Sequence, residues 1–170
     1  MTLNRWADLG VDHHIIKSLS ERGINEPFPI QELTIPDALK MNDVCGKAKT
    51  GSGKTLAFGI PTIQNLAQAD MRSIPRGLIL VPTRELATQV KEELDPLCNS
   101  KSLTVAAIYG GANIDEQIKN IKDGVDIVVA TPGRMIDLLE REEVGLQSLE
   151  VVVLDEADRM ADLWHKYKKN

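Results

Sequence analysis

A chain of 170 residues, 42% hydrophobic and 26% charged, has the composition of a single globular domain long enough to bury one core. No apolar run approaches the length needed to span a bilayer, and no basic flank with a following apolar stretch opens the chain, so neither a membrane span nor a secretory leader is expected. The net charge of -5, from 25 acidic and 20 basic residues, excludes nucleic-acid binding by bulk electrostatics; any such contact must rest on loop amides, helix N-termini and a few arginines.

In chain order, Asp12 is placed to cap a helix that ends near Gly23. Strands are predicted over 43–46, 77–81, 104–109, 126–130 and 150–154, most of them apolar throughout, as strands covered on both faces are. Pro61 falls inside the helix expected after Thr55 and should kink it or shift a hydrogen bond. Leu86, Val90, Leu94 and Leu97 line one face of a helix after Thr83, and Ile114, Ile118 and Ile121 do the same before Gly124. Strands alternating with helices predict a mostly parallel α/β sheet with helices on both faces. Cys45 and Cys98 are too few for a disulfide framework, and His13, His14 and His165 have no cysteine partners, so no structural metal and a cytoplasmic location are expected. The basic end, Lys166, Lys168 and Lys169, reads as a solvated tail.

Polar or glycine-bearing segments follow every predicted strand, and the C-terminal edge of an open α/β sheet is where ligands bind. In Ala48-Lys49-Thr50-Gly51-Ser52-Gly53-Lys54-Thr55, the glycines allow a sharp turn whose amides can cradle phosphates at a helix N-terminus. Lys54 would reach the β- and γ-phosphates and Thr55 would ligate Mg2+; Ala48 stands where the usual pattern begins with glycine. At the end of the last strand, Asp155 would reach the same Mg2+ and Glu156 would polarise the attacking water. Thr131-Pro132 reads as an N-cap followed by proline at the first helical position, leaving amides free for a phosphate.

These segments, in order, resemble the motifs of DEAD-box RNA helicases: Gly23 to Gln31, Ala48 to Thr55, Pro82-Thr83-Arg84-Glu85-Leu86-Ala87, Gly110-Gly111, Thr131-Pro132-Gly133-Arg134 and Asp155-Glu156-Ala157-Asp158. The likeness runs from about Trp6 to Leu163 and implies a RecA-like P-loop NTPase domain that binds ATP with Mg2+ and RNA. The resemblance implies that Gln31 reads a donor and an acceptor on adenine, a task suited to a side-chain amide. Trp6 lies at the place of the family's upstream aromatic, usually phenylalanine, and would pack against the base; anchoring the first helix in the core is a compatible alternative. Pro82, Thr83, Arg84, Gly110, Gly111, Thr131, Gly133 and Arg134 would grip an RNA backbone without reading its sequence, although Arg84 has an ion pair as its alternative.

After Leu163 the family's usual Gly-Phe is replaced by Trp164-His165, and neither its Ser-Ala-Thr turn nor its second RecA-like domain follows in these 170 residues. The expectation is therefore a fragment: an adenine-recognition segment over 1–33, an incomplete first RecA-like domain over 34–163 and a non-family tail over 164–170. A central strand, between the phosphate-loop strand and the one before Asp155, would be missing. Such a piece should grip nucleotide weakly and unwind nothing. A different nucleic-acid-dependent ATPase such as a DNA translocase, and a non-catalytic RNA- or protein-binding module, are the alternatives.

Overall fold

The structure, a computed structural model, describes residues 4–66 and 74–167. It comprises two compact units, Met1–Ala69 with Glu93–Leu103, and Asp70–Glu92 with Thr104–Asn170.

The described part of the first unit is helical: α1 (Arg5–Asp8), α2 (His13–Glu21), α3 (Pro29–Leu39), α4 (Lys54–Leu66) and the second half of α5 (Arg84–Ser100). Asp12 caps α2 as expected, in an extended conformation, with its carboxylate accepting from the His14 amide at 2.8 Å. Burial pushes the Asp12 carboxyl up, but the His14 amide and the Lys101 ammonium, 3.1 Å away, outweigh it and hold the group below its usual value. Leu56, Ile60, Ile63 and Leu66 of α4 are buried, as are Leu94, Leu97 and Cys98 of α5. Gly59 permits the close approach of these helices, because a Cβ there would collide with the Leu94 side chain. α4 continues through Pro61 to Leu66.

The second unit is built on a parallel sheet of four strands, β1 (Gly77–Leu80), β2 (Val105–Ile108), β3 (Ile127–Ala130) and β4 (Val151–Leu154), in the order β2-β3-β1-β4. Every residue of the central β3 is buried. Its core joins Leu78, Ile108, Val128 and Ala130 to Ile121 of α6 (Ile114–Lys122) and to Met135 and Leu138 of α7 (Pro132–Glu140). The chain then runs from β4 into α8 (Ala157–Tyr167).

One arginine ties the entrances of these strands together. Arg76, immediately before β1, is 3% exposed and pairs with Glu150 before β4 at 3.0 Å and Asp126 before β3 at 3.5 Å. Asp126 in turn accepts from the backbone amide of Thr104, before β2, at 2.9 Å.

Four of the five predicted strands are present within a residue or two of their expected bounds. The fifth is not: residues 42–49 have no regular structure, and Val44, the β-branched centre of the expected 43–46 strand, is 43% exposed. A parallel strand depends on neighbours for its backbone hydrogen bonds and for burial, and this run has neither among the described residues. β4 is an edge strand, paired with β1 alone, and its Val152 and Leu154 are exposed. Of the expected tail, 164–167 continue the backbone of α8 and 168–170 lie outside the described residues.

Candidate functional site

In the first unit, the expected phosphate loop, Ala48 to Thr55, leads directly into α4, whose first residues are Lys54 and Thr55. Gly51 and Gly53 hold φ of 79° and 82°, the left-handed region that favours glycine. The loop closes on itself through the Ser52 amide and hydroxyl, both donating to the Lys49 carbonyl.

Gln31 joins this loop to the segment expected to recognise adenine. Its Oε1 accepts from the Phe28 amide at 2.7 Å, the reciprocal half of a capping box at the start of α3; phenylalanine has no oxygen to supply the other half. Its Nε2 donates to the Gly53 carbonyl at 3.0 Å. Gln31 is 1% exposed, beneath the half-exposed Phe28. A Cβ at Gly53 would stand 2.5 Å from Gln31 Nε2 and 2.7 Å from Phe28 Cδ2. Gly53→Ala is therefore expected to disrupt both the turn, by about 1–2 kcal/mol for the left-handed conformation alone, and the Gln31 strut. A titration with labelled ADP checks this; an affinity equal to wild type would contradict it.

Glu93 of α5 was not singled out from the sequence, yet its half-buried carboxyl lies beside the Thr55 hydroxyl. Burial pushes the Glu93 carboxyl up, against the opposing pull of the Arg22 guanidinium and the Thr55 hydroxyl. Arg22 also donates to the Glu93 carbonyl at 3.0 Å. The Thr55 hydroxyl oxygen has lone pairs suited to a hard cation such as Mg2+. The available signal was position: Glu93 lies on the apolar face of α5, between Val90 and Leu97, where a charge needs a partner. Trp6 is 1% exposed, in the interior, and its indole nitrogen has no partner among the described residues. A groove of about 330 Å³ runs beside the loop, lined by Phe28, Pro29, Ile30, Leu33, Ala48 and Gly51. Asp12, His13 and His14 offer ligand atoms within 4.8 Å of one another, but the Asp12 carboxylate is already committed to the His14 amide and Lys101.

In the second unit, sheet register brings four of the expected segments to one edge. The amides of Val81, Thr131 and Asp155 donate to the carbonyls of Ala130, Ile108 and Leu80, each at 3.0 Å, so the chain leaves β1, β3 and β4 side by side. Pro82 to Arg84, Gly110-Gly111, Thr131 to Arg134 and Asp155-Glu156 all begin there. The phosphate loop, expected to follow a fifth strand of this edge, follows none among the described residues.

Thr83 accepts from the Leu86 amide at the start of α5. Arg84 pairs with the neighbouring Glu85 at 3.1 Å and also lies over the glycine turn, where a Cβ on Gly111 would meet its Nη1 at 3.3 Å. The Glu85 carboxyl is held below its usual value by its own amide and by Arg84, with a smaller pull from Arg159. Thr131 takes the extended conformation of an N-cap with Pro132 following, and its side chain makes no capping bond. Gly133 is exposed, with open space where a Cβ would be. Arg134 points inward, to the Ala112 carbonyl and to Gln117 Oε1 at 2.9 Å. Gln117 was also missed, and it too interrupts an apolar stripe, between Ile114 and Ile118-Ile121.

Asp155 and Glu156 form the turn between β4 and α8. Glu156 is held at φ 53°, a left-handed conformation that costs a side-chain-bearing residue about 1–2 kcal/mol. Its carboxylate lies 3.3 Å from Arg159 Nη1.

The family profile described as DEAD/DEAH box helicase matches residues 28–169. Among curated proteins, the ATP-dependent RNA helicase CshA of Listeria monocytogenes is 44% identical over 161 residues, covering 95% of this chain and 31% of that protein. The ATP-dependent RNA helicase RhlB of Sodalis glossinidius is 42% identical over 168 residues, covering 96% of this chain and 40% of that protein. Among solved structures, the RNA-helicase Prp28 from Chaetomium thermophilum bound to ADP is similar with a TM-score of 0.87 and 38% identity, over 95% of this chain and 40% of that one. This chain therefore spans between 31% and 40% of the length of these relatives. With the profile extending over most of its residues and the parallel sheet of the RecA-like domain in place, the chain belongs to the DEAD/DEAH box helicase family.

Proposed function

We propose that this chain is the ATP-gripping and RNA-gripping N-terminal part of an ATP-dependent RNA helicase, in which ATP hydrolysis is coupled to opening of RNA duplexes in the company of a second RecA-like domain. The observation that carries the reading is the double engagement of Gln31, with Phe28 on one side and the Gly53 carbonyl on the other. It ties the segment expected to recognise adenine to the loop expected to hold the phosphates. Each polar atom of Gln31 keeps one further hydrogen-bonding position, so the amide can read an adenine edge without releasing the loop entirely. Because Gln31 is covered, a base reaches it only as Phe28 or the loop shifts, which couples nucleotide binding to loop movement.

In this reading residues 1–33 recognise adenine, 34–163 form the first RecA-like domain and 164–170 stand outside it. Lys54 binds the β- and γ-phosphates, and the loop from Ala48 to Thr55 wraps them. Thr55 and Asp155 would hold Mg2+, which neutralises developing charge on the phosphates. Glu156 orients the attacking water. Trp6 packs against the base or, consistent with its burial, anchors the first helix in the core. The edge from Pro82, Thr83 and Arg84 through Gly110, Gly111, Thr131, Gly133 and Arg134 grips the RNA backbone. The relatives named as ATP-dependent RNA helicases, and one solved with ADP, support the reading. No described helix is long and apolar enough to cross a membrane; the cytoplasm is the proposed compartment.

Competition for labelled ADP tests the adenine assignment. ATP should displace it at least about tenfold better than GTP, since a site built to hydrogen-bond one edge penalises the wrong one. Equal displacement by both would overturn the role given to Gln31.

A further inference from the structure

We propose that Gln117 is a positioning residue that sets the Gly110-Gly111 turn and Arg134 as one phosphate-gripping unit; this deepens, and rests on, the reading of that edge as an RNA-backbone surface. Gln117 lies on α6 and is only 6% exposed, so it is not itself a surface contact. Its Nε2 donates to the Tyr109 carbonyl at 3.0 Å, and its Oε1 accepts from Arg134 Nη1 at 2.9 Å. The same guanidinium donates to the Ala112 carbonyl at 3.2 and 3.3 Å. Tyr109 and Ala112 are the residues on either side of the glycine pair. Both flanking carbonyls are thus turned into the protein, one by Gln117 directly and the other by the arginine that Gln117 holds.

That arrangement has an electrostatic consequence. A carbonyl oxygen facing a phosphate repels it, whereas a backbone amide attracts it. With the two carbonyls drawn inward, the amides of the exposed Gly110 and Gly111 have no hydrogen-bond partner among the described residues and are available to an anion. Arg134 also keeps N–H groups uncommitted, because its bonds to Ala112 and Gln117 use Nη1 twice and Nη2 once out of five donors. The task needs a donor and an acceptor at the end of one side chain. Leucine supplies neither, and glutamate supplies only the acceptor.

The test is fluorescence anisotropy of a labelled single-stranded oligouridylate with the 170-residue chain, alongside labelled-ADP binding and thermal melting. Gln117→Leu should bind RNA about tenfold more weakly, with ADP affinity and melting unchanged, and the Gly110 and Gly111 amide resonances should move. Gln117→Glu, which retains the acceptor for Arg134, should recover most of the loss, remaining roughly threefold weaker than wild type. Arg84→Ala separates the positioning role of Gln117 from the RNA surface itself. If it weakens RNA binding while Gln117→Leu binds as wild type, the positioning role is wrong and the RNA surface stands. If the wild-type chain binds no RNA, or neither variant alters binding, both fall. Should Gln117→Leu melt early, Gln117→Glu decides: wild-type affinity there overturns the proposal, and the threefold loss upholds it.

Discussion

Lys54→Ala is expected to abolish measurable nucleotide binding, while Glu156→Gln leaves it intact. Lys54 is the first residue of α4, immediately after the two left-handed glycines, so under the proposed reading its ammonium and the amides of the helix start would act on the same phosphate. Removing one side of a hydrogen-bonded charge pair costs about 2–5 kcal/mol, which is roughly 30-fold to several thousand-fold in affinity. Glu156 differs in kind. It follows β4 in a strained conformation and faces Arg159, and its proposed work on the attacking water is done only in the transition state. The isosteric amide should therefore leave the dissociation constant for labelled ADP unchanged. An unaltered affinity in the lysine variant would remove the basis for the phosphate loop, and a large loss in the glutamine variant would move Glu156 from chemistry to binding.

The largest stability effect is expected at Arg76. Its side chain is 3% exposed and bridges Asp126 and Glu150, with Asp126 also holding the Thr104 amide, so one residue links the entrances of all four strands. Breaking a buried pair from one side costs about 3–5 kcal/mol, because the remaining charge stays buried without its counterion. For Arg76→Met, about 3 kcal/mol corresponds to a fall of roughly 6–12 °C in Tm for a domain of this size. The comparison is Arg141→Ala, which removes an exposed ion pair with Asp137 and should not shift melting measurably. Equal behaviour of the two variants in a thermal melt would show that the Arg76 network does not clamp the sheet.

The difference between these arginines was not visible in the sequence, where Arg76 is simply a charge ahead of an apolar run. What was visible is instructive. β1, β2, β3 and β4 were legible because a strand covered on both faces must be apolar at consecutive positions, as Ile127-Val128-Val129-Ala130 are. α5 and α6 were legible from periodicity, and the cap at Asp12 from its local chemistry, since a helix start is satisfied by residues adjacent in sequence. The 43–46 strand was misread because its apolar pair, Val44 and Cys45, fits a strand locally, whereas strand formation is decided by a neighbour elsewhere in the chain. Glu93 and Gln117 were overlooked because each occupies one polar position on an otherwise apolar helix face. Their partners, Thr55 in one case and Tyr109 with Arg134 in the other, come from other elements.

By itself, then, the sequence determined the family and the α/β class, and it nominated the residues proposed for phosphate, adenine and RNA contacts. Those depend on residue type, spacing and local backbone preference, which short segments carry with them. Only the tertiary structure decided which polar groups are already taken. It turned Gln31 into a strut between Phe28 and Gly53, directed Arg134 inward to Ala112 and Gln117, and set Glu93 against Thr55. The physical reason is that a buried polar atom must find its partner across packed elements, and the energy of that pairing depends on three-dimensional geometry rather than on distance along the chain.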